Sequence, residues 1–414
     1  MQTRLVSERL NTLLKTTPAV LIEGPRAAGK TTLANTFAAT TLNLEIPALR
    51  KLAQEQPDEL LISEEPIFVD EWHLAPEIIG GVRRAVDADR SVGRFLLAGS
   101  RPEGMPHSGI GRISSLKLRT MTLQERGETN PEISLNSLLT GLKPSIQKID
   151  HSLVDYARAI VQSGFPGFLG LNESAARVEL SAYLHILIAS DTEAVGTEVR
   201  RPQLLRNWLQ GYASSVGTIT SLENIRGSAG LDSSVVASKV TGLGYYELMQ
   251  RLSILDPVEA FPVGATPLRR VSGSPKHYMV DTGLAAALLN TGSAQLLQGF
   301  GSTGDRLLLS QLFENLVASH LKTFAEINGY SLWHYREWDG RKEVDFILED
   351  PDSNLTLVEV KLSNPETKEL AHMHHLGEAL KDRVKNKIVI TAGTQAYTTK
   401  DGVAVVPLAA IDFG

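Results

Sequence analysis

Gly24-Pro25-Arg26-Ala27-Ala28-Gly29-Lys30-Thr31 lies between an apolar run, Ala19–Glu23 (AVLIE), and a helix-like stretch, TLANTFAA. The spacing is G-x-x-x-x-G-K-[ST]. Glycines let the backbone wrap closely around phosphates with its N–H groups pointing inward. The following helix turns the positive end of its dipole toward the same anion. Phosphate binding therefore falls to Gly24, Pro25, Arg26, Ala27, Ala28, Gly29, Lys30, Thr31 and Thr32. Lys30 is expected to reach the β and γ phosphates, and the Thr31 hydroxyl to hold Mg²⁺.

A nucleotide loop of this kind needs an acid at the end of a neighbouring apolar strand. Ile67-Phe68-Val69-Asp70-Glu71 supplies one. Asp70 is placed to contact Mg²⁺ through water, and Glu71 to orient and polarise the attacking water. Phe95-Leu96-Leu97-Ala98-Gly99-Ser100 is another apolar run with a polar end, and Ser100 is the candidate γ-phosphate sensor. Arg112 closes the glycine-rich segment His107-Ser108-Gly109-Ile110-Gly111-Arg112. It is either an arginine finger, acting in cis or from a neighbouring subunit, or a surface residue. Strands expected at 19–23, 41–46, 66–70, 95–99 and 116–123, with helices between them, give a parallel sheet covered on both faces.

The 414 residues suggest about three domains at roughly 150 residues each. Lys plus Arg total 41 against 47 Asp plus Glu, a net charge of -6, which excludes a chain that coats DNA by bulk charge. With no cysteine, disulfides, thiolate zinc sites, iron–sulfur clusters and thiol nucleophiles are excluded. MQTRLVSERL has no apolar run before a cleavage site, and no stretch approaches about 18 unbroken apolar residues. A cytoplasmic protein without membrane contact is the expectation.

GPRAAGKTTLA, FVDEWH, FLLAGS, HSGIGR and LRTMTLQERG together resemble a family of prokaryotic AAA-type ATPases whose C-terminal part is a domain of unknown function. The resemblance continues through Ser163-Gly-Phe-Pro-Gly167, Lys276-His-Tyr-Met-Val-Asp281, Phe313-Glu314-Asn315 and Glu359-Val-Lys361, and so covers nearly the whole chain. Family members usually carry a Gln-like residue where this chain has His73. The resemblance implies an AAA-type core with ATP and Mg²⁺ as cofactors, and a site completed by a neighbour's Arg in a homo-oligomer.

In the middle, Ser221 to Arg226, a glycine turn, and then Asp232 to Val240 have the rhythm of a helix-turn-helix. Asp232 is the expected N-cap. Ser233, Ser234 and Lys239 are expected to face outward, with Val236 and Val240 inward. A third helix at 244–252 and a hairpin (256–261 with 276–280) complete a winged helix. The wing at 262–276 carries Arg269, Arg270 and Lys276 and no acid, so these residues are candidates for DNA or RNA backbone contacts. The same module also serves as a protein–protein element.

The last part opens with a long apolar helix, 307–325, carrying Glu314. Strands follow at 343–348, 356–362, 387–391 and 403–407. Period-2 geometry puts Glu359 and Lys361 on one face, and Glu343 and Asp345 on one face of the preceding strand. Asp345, Glu359 and Lys361, with Glu314 in support, match the D…ExK pattern of the restriction-endonuclease-like fold. In that fold two carboxylates hold Mg²⁺ and the lysine stabilises the attacking hydroxide. A salt-bridged strand face gives the same letters. His372, His374 and His375 are read as a solvated helix surface.

The expected fold is α/β: an AAA-type P-loop core over 1–130, a helical lid or connector over 131–195, a winged helix over 196–290 and a restriction-endonuclease-like domain over 291–414. The expected function is Mg²⁺-dependent ATP hydrolysis acting on nucleic acid. The alternative is an ATP-driven switch that binds a protein partner through an inactive nuclease fold. A metabolic kinase fits poorly, because two of the modules would have no task.

Overall fold

Strands β1 (Ala19–Glu23), β2 (Thr40–Asn43), β3 (Ile67–Asp70), β4 (Phe95–Ala98) and β5 (Ile113–Lys117) form one parallel sheet in the order β2-β3-β4-β1-β5. The computed structural model describes residues 3–99, 111–191, 201–228, 237–262, 273–298, 303–337 and 343–414. All four residues of β3 and of β4 are buried, the result of continuous Ile, Phe, Val and Leu runs covered on both faces. β4 separates the acid strand β3 from the loop strand β1.

Two strands differ from the sequence reading. β2 stops at Asn43, because the Asn43 side chain accepts the Glu45 N–H (2.8 Å) and turns the backbone out of the ladder. β5 lies at 113–117, because the chain leaves the sheet at Leu118. The Leu118 carbonyl lies so close to Gly24 that a Cβ there would meet it at 2.1 Å. Only glycine fits at the start of the loop.

The helical middle and the C-terminal part share one hydrophobic core that includes Tyr156, Trp208, Tyr212, Phe313, Phe324 and Phe346. β6 (Ile133–Ser134) pairs with the final strand, β15 (Ile411–Asp412). β7 (Gln147–Lys148), β8 (Glu259–Ala260), β9 (Ser331–Arg336), β10 (Glu343–Glu349), β11 (Leu355–Lys361), β12 (Val384–Thr391), β13 (Gln395–Thr398) and β14 (Ala404–Pro407) form a second sheet in the order β7-β13-β14-β12-β11-β10-β9-β8. β9, β10 and β11 are antiparallel, whereas β11, β12 and β14 are parallel. The long helix runs Thr303–Asn328, longer than its apolar core alone suggested.

The helix-turn-helix reading needs correction. Among the described residues, Leu222–Ser228 is followed by one continuous helix, Lys239–Arg251, where the end of one helix and the start of another were expected; it is capped by Ser238, whose side chain accepts the Thr241 N–H. Val240, expected inward, is 82% exposed because it sits in the first turn of that helix. Asp232, Ser233, Ser234, Val236, Arg269 and Arg270 lie outside the described residues. The hairpin is present: Leu255 faces Met279 and Val258 faces Lys276 in antiparallel bridges. Among the described residues, no helix is long and apolar enough to cross a membrane.

Candidate functional site

The loop after β1 takes up left-handed backbone at Gly24, Ala27 and Gly29 (φ 154°, 63° and 93°). Helix begins at Lys30 and lasts only to Ala34, because Asn35 and Thr36 favour caps over helix and the Thr36 hydroxyl bonds back to the Leu33 carbonyl. Lys30 is buried, and its Nζ donates to the Gly24 and Pro25 carbonyls at 2.9 Å each. The Thr31 hydroxyl donates to Asp70 Oδ2 at 2.9 Å. Burial raises the Asp70 pKa, against the pull of the Thr31 hydrogen bond. A hydroxyl beside a carboxylate at the end of a strand is a hard-oxygen pair that fits Mg²⁺.

Glu71 follows Asp70 in a left-handed conformation (φ 52°, ψ 42°), uncommon for a residue with a Cβ, and this directs its carboxylate away from the strand line. Burial raises its pKa, opposed by Lys30. His73 Nδ1 lies 3.2 Å from Glu71 Oε2. Burial, reinforced by Lys30, holds the His73 pKa down to about 4. His73 is therefore neutral, and Gly99 leaves the room it needs: a Cβ there would meet its Nδ1 at 2.9 Å. Ser100 lies outside the described residues.

Two further groups border the loop. Arg4 was invisible to motif reading, being a lone cation near the N-terminus. It is buried and donates to the Ala28 carbonyl (2.8 Å), the Arg119 carbonyl (2.7 Å) and Glu125 (2.9 Å). Tyr183 donates to the Arg26 carbonyl (3.3 Å), so the helical middle touches the loop. A cavity of about 560 Å³ opens beside Gly29 and Thr32, walled by Leu33, Phe37, Met121, Pro166 and Leu169.

Arg112 is not aimed at this site within the chain. It pairs with Asp87 at 2.7 Å on the exposed side of the helix Glu77–Ala88. The assignment of Arg112 as a finger acting in cis is thereby corrected; the Asp87 carboxylate on the adjacent helix claims its guanidinium.

Asp345, Glu359, Lys361 and Glu314 do converge at a second place. Lys361 Nζ bonds Glu359 Oε2 (2.9 Å), and Asp345 Oδ2 accepts the Val360 N–H (2.9 Å). Burial, added to by Asp345, raises the Glu359 pKa, and burial pushes Glu314 up to about 7. Lys276, expected on a basic wing, is found here instead: it is 1% exposed and ion-paired to Glu314, Glu343 and Asp345. The nucleic-acid assignment of Lys276 is corrected, because the hairpin register turns it into the domain. Of the six residues assigned to nucleic-acid contact, Lys239 alone is described and exposed. His374 is partly buried beside Lys387 (3.2 Å), so the histidine cluster is not wholly a solvated face.

The motif residues left without a role in the sequence reading turn out to hold modules together. Asn315 clamps the hairpin, exchanging hydrogen bonds with both the N–H and the C=O of Met279 (2.9 and 2.8 Å). Asp281 accepts the Gly164 N–H (2.8 Å). Arg119 bonds Asp256 (2.7 Å), which also takes Lys117 (2.8 Å) and Lys322 (3.0 Å). Burial would raise Asp256, but Arg119, Lys117 and Lys322 hold its carboxyl well below the ordinary range.

The fold and this loop define an AAA-type α/β core with a phosphate-binding loop, and residues 16–126 match the family model described as "AAA domain". Residues 153–295 and 309–411 match two models, each described as a domain of unknown function (DUF8612 and DUF4143). An uncharacterised protein of Mycobacterium tuberculosis is 24% identical over 352 residues, 82% of this chain and 72% of the relative. Among solved structures, the Walker-type ATPase of Pyrococcus abyssi is similar at 14% identity, covering 70% of this chain and 96% of that one, with a TM-score of 0.42. The Aeropyrum pernix ORC2 protein, solved as ADPNP–ADP complexes, is 14% identical over 72% of this chain and 92% of that one, with a TM-score of 0.29.

Proposed function

We propose that the chain is an ATPase whose nucleotide state resets the contacts between its AAA-type core and the modules that follow. The observation that carries the hydrolytic part is the convergence of Lys30, Thr31, Asp70 and Glu71 at the ends of β1 and β3. Thr31 and Asp70 would hold Mg²⁺, which neutralises phosphate charge. Lys30 gives up its carbonyl partners for phosphate oxygens, a stronger charge-assisted bond. Glu71 takes the proton of the attacking water, with His73 holding its carboxylate in place. The cavity beside Thr32 has the size and apolar walls suited to a nucleoside.

The switch part is supported by polar contacts that run outward from the loop. Arg4 links the Ala28 carbonyl to Arg119, Arg119 links to Asp256, and Asp256 lies in the hairpin whose return strand opens with Lys276. Movement of the loop on nucleotide binding would reach the C-terminal sheet along this line. A second reading, action on nucleic acid with a C-terminal nuclease, is favoured by the convergence of Asp345, Glu359 and Lys361.

Phosphate release with Mg²⁺–ATP, with and without single- and double-stranded DNA and RNA, tests both. Release that ignores every nucleic acid is the expected result. Stimulation accompanied by cleavage products would select the second reading. No release from the wild-type protein under any condition would end the ATPase proposal.

A further inference from the structure

We infer that the Lys276 ammonium stands in the C-terminal acid cluster where a divalent cation would have to sit, so that the cluster is an ion-paired latch for the hairpin and not a nuclease centre. The inference is independent of the ATPase reading, since a latched hairpin is compatible with any activity at the loop.

The donors decide it. Lys276 Nζ lies 2.7 Å from Glu314 Oε1, 2.9 Å from Glu343 Oε1 and 2.9 Å from Asp345 Oδ1. An ammonium has three protons and here finds three carboxylate partners, so its hydrogen-bonding capacity is filled. Other oxygens of the cluster have partners as well. Asp345 Oδ2 takes the Val360 N–H, Glu359 Oε2 takes Lys361, Glu343 Oε2 faces Arg336 at 3.4 Å, and Tyr278 donates to Glu314 Oε1, the oxygen that also meets Lys276. Mg²⁺ demands near-octahedral oxygens at about 2.0–2.1 Å and several waters. It would have to enter within reach of a fixed, buried positive charge. The residues present do not fit a divalent ion, and among the described residues no group of three or more acidic, His or Cys side chains is placed to hold a metal.

Lys276 is also fixed from behind. Its N–H and C=O pair with Val258 at 2.8 and 2.9 Å. Its neighbours are tied down as well: the His277 N–H donates to the Thr218 carbonyl (2.9 Å), and Met279 is clamped by Asn315. These bonds hold the Lys276 backbone in place, and its burial keeps the ammonium among the carboxylates. The sequence pattern D…ExK with a helix acid is thus complete, while the place at its centre is taken by a lysine from the preceding module. Four carboxylates (Glu314, Glu343, Asp345, Glu359) face two lysines and Arg336, which explains how these acids stand so close together.

Mn²⁺ titration followed by electron paramagnetic resonance tests this on the full chain. An Asp70→Asn background silences the nucleotide site. With Lys276 intact, no tight Mn²⁺ site is expected. Adding Lys276→Ala should create one site, which a further Asp345→Asn change removes, and Mn²⁺ should raise the melting temperature of Lys276→Ala alone. A tight site in the Asp70→Asn protein with Lys276 intact overturns the inference. So does a folded Lys276→Ala protein that gains no site, and so does Mn²⁺-dependent DNA or RNA cleavage by wild type that Asp345→Asn abolishes. Should Lys276→Ala fail to fold, Lys276→Met combined with Glu314→Gln and Asp345→Asn removes both signs of charge. Recovery of folding by that combination supports the latch, and failure to recover counts against it.

Discussion

The loop after β1 and the acid cluster beside β10 each set a lysine near carboxylates at strand ends, and they differ in what the lysine touches. Lys30 donates to two main-chain carbonyls, with Asp70 and Glu71 close by. Lys276 donates to three carboxylates at once. A neutral carbonyl loses in competition with an anionic phosphate, whereas three carboxylates around a buried ammonium do not. The same residue types therefore make a binding site in one place and a structural joint in the other. The partners of the lysine, not the presence of acids, separate the two.

Glu71→Gln gives the largest expected effect on the first site. If Glu71 is the base, turnover should fall about 10²–10⁴-fold while ATP still binds. Single-turnover hydrolysis and nucleotide affinity, measured side by side, check this. Turnover equal to wild type would put the base elsewhere and weaken the contrast. Because burial raises the Glu71 pKa, the acid limb of the rate profile should lie above the ordinary Glu value of about 4.3. The sign follows from the base being active only when ionised.

Asp256→Ala probes the joint between the core and the hairpin. It leaves Lys117, Arg119 and Lys322 around an uncompensated space, at a cost of about 3–5 kcal/mol in denaturant unfolding. The folded Asp256 carboxyl titrates below its unfolded value. Its contribution is thus fully present above the ordinary carboxylate range and is lost as pH falls through the depressed value. Asp256→Ala should flatten that acid limb of the stability curve. An unchanged curve would mean that the three cations are already satisfied elsewhere.

Much of the first sheet was legible in the sequence. Continuous apolar runs ending in GKT and in DE leave little freedom in strand type or in which ends carry chemistry. The D…ExK set was also legible as a set. What escaped were contacts between residues far apart in the chain. Arg4 reaches Glu125 across 121 positions, and Lys276 reaches Asp345 across 69. A basic residue in a loop reads as a surface charge until the register of its hairpin is known, and Lys276 was misread for that reason. The helix Lys239–Arg251 runs across the point where the sequence pattern suggests the end of one helix at Val240 and the start of another at Gly244.

Lys30→Ala sharpens the contrast by removing the exchangeable lysine. ATP affinity should drop about 10–100-fold, the loss of one charge-assisted hydrogen-bonded contact. Stability should fall by no more than about 1–3 kcal/mol, the cost of leaving the buried Gly24 and Pro25 carbonyls without their donor. Calorimetric titration and thermal melting separate the two readouts. A large loss of stability with unchanged affinity would make Lys30 a joint like Lys276.

His73 carries the smallest expected effect and the most specific one. It is neutral in the folded protein, with burial and Lys30 holding it to about 4, and the tautomer protonated at Nδ1 would donate to Glu71 Oε2, 3.2 Å away. A neutral donor steadies an ionised carboxylate without neutralising it. His73→Ala should therefore slow hydrolysis about 10-fold, the contribution of one hydrogen bond to a charged group, and leave ATP affinity unchanged. Without that donor the Glu71 pKa rises further, so the acid limb of turnover should move to higher pH. His73→Asn keeps an amide donor near the position of Nδ1 and should restore both rate and profile. A rate loss that Asn does not rescue, or a profile that stays put in His73→Ala, would reduce His73 to a filler of the space left by Gly99.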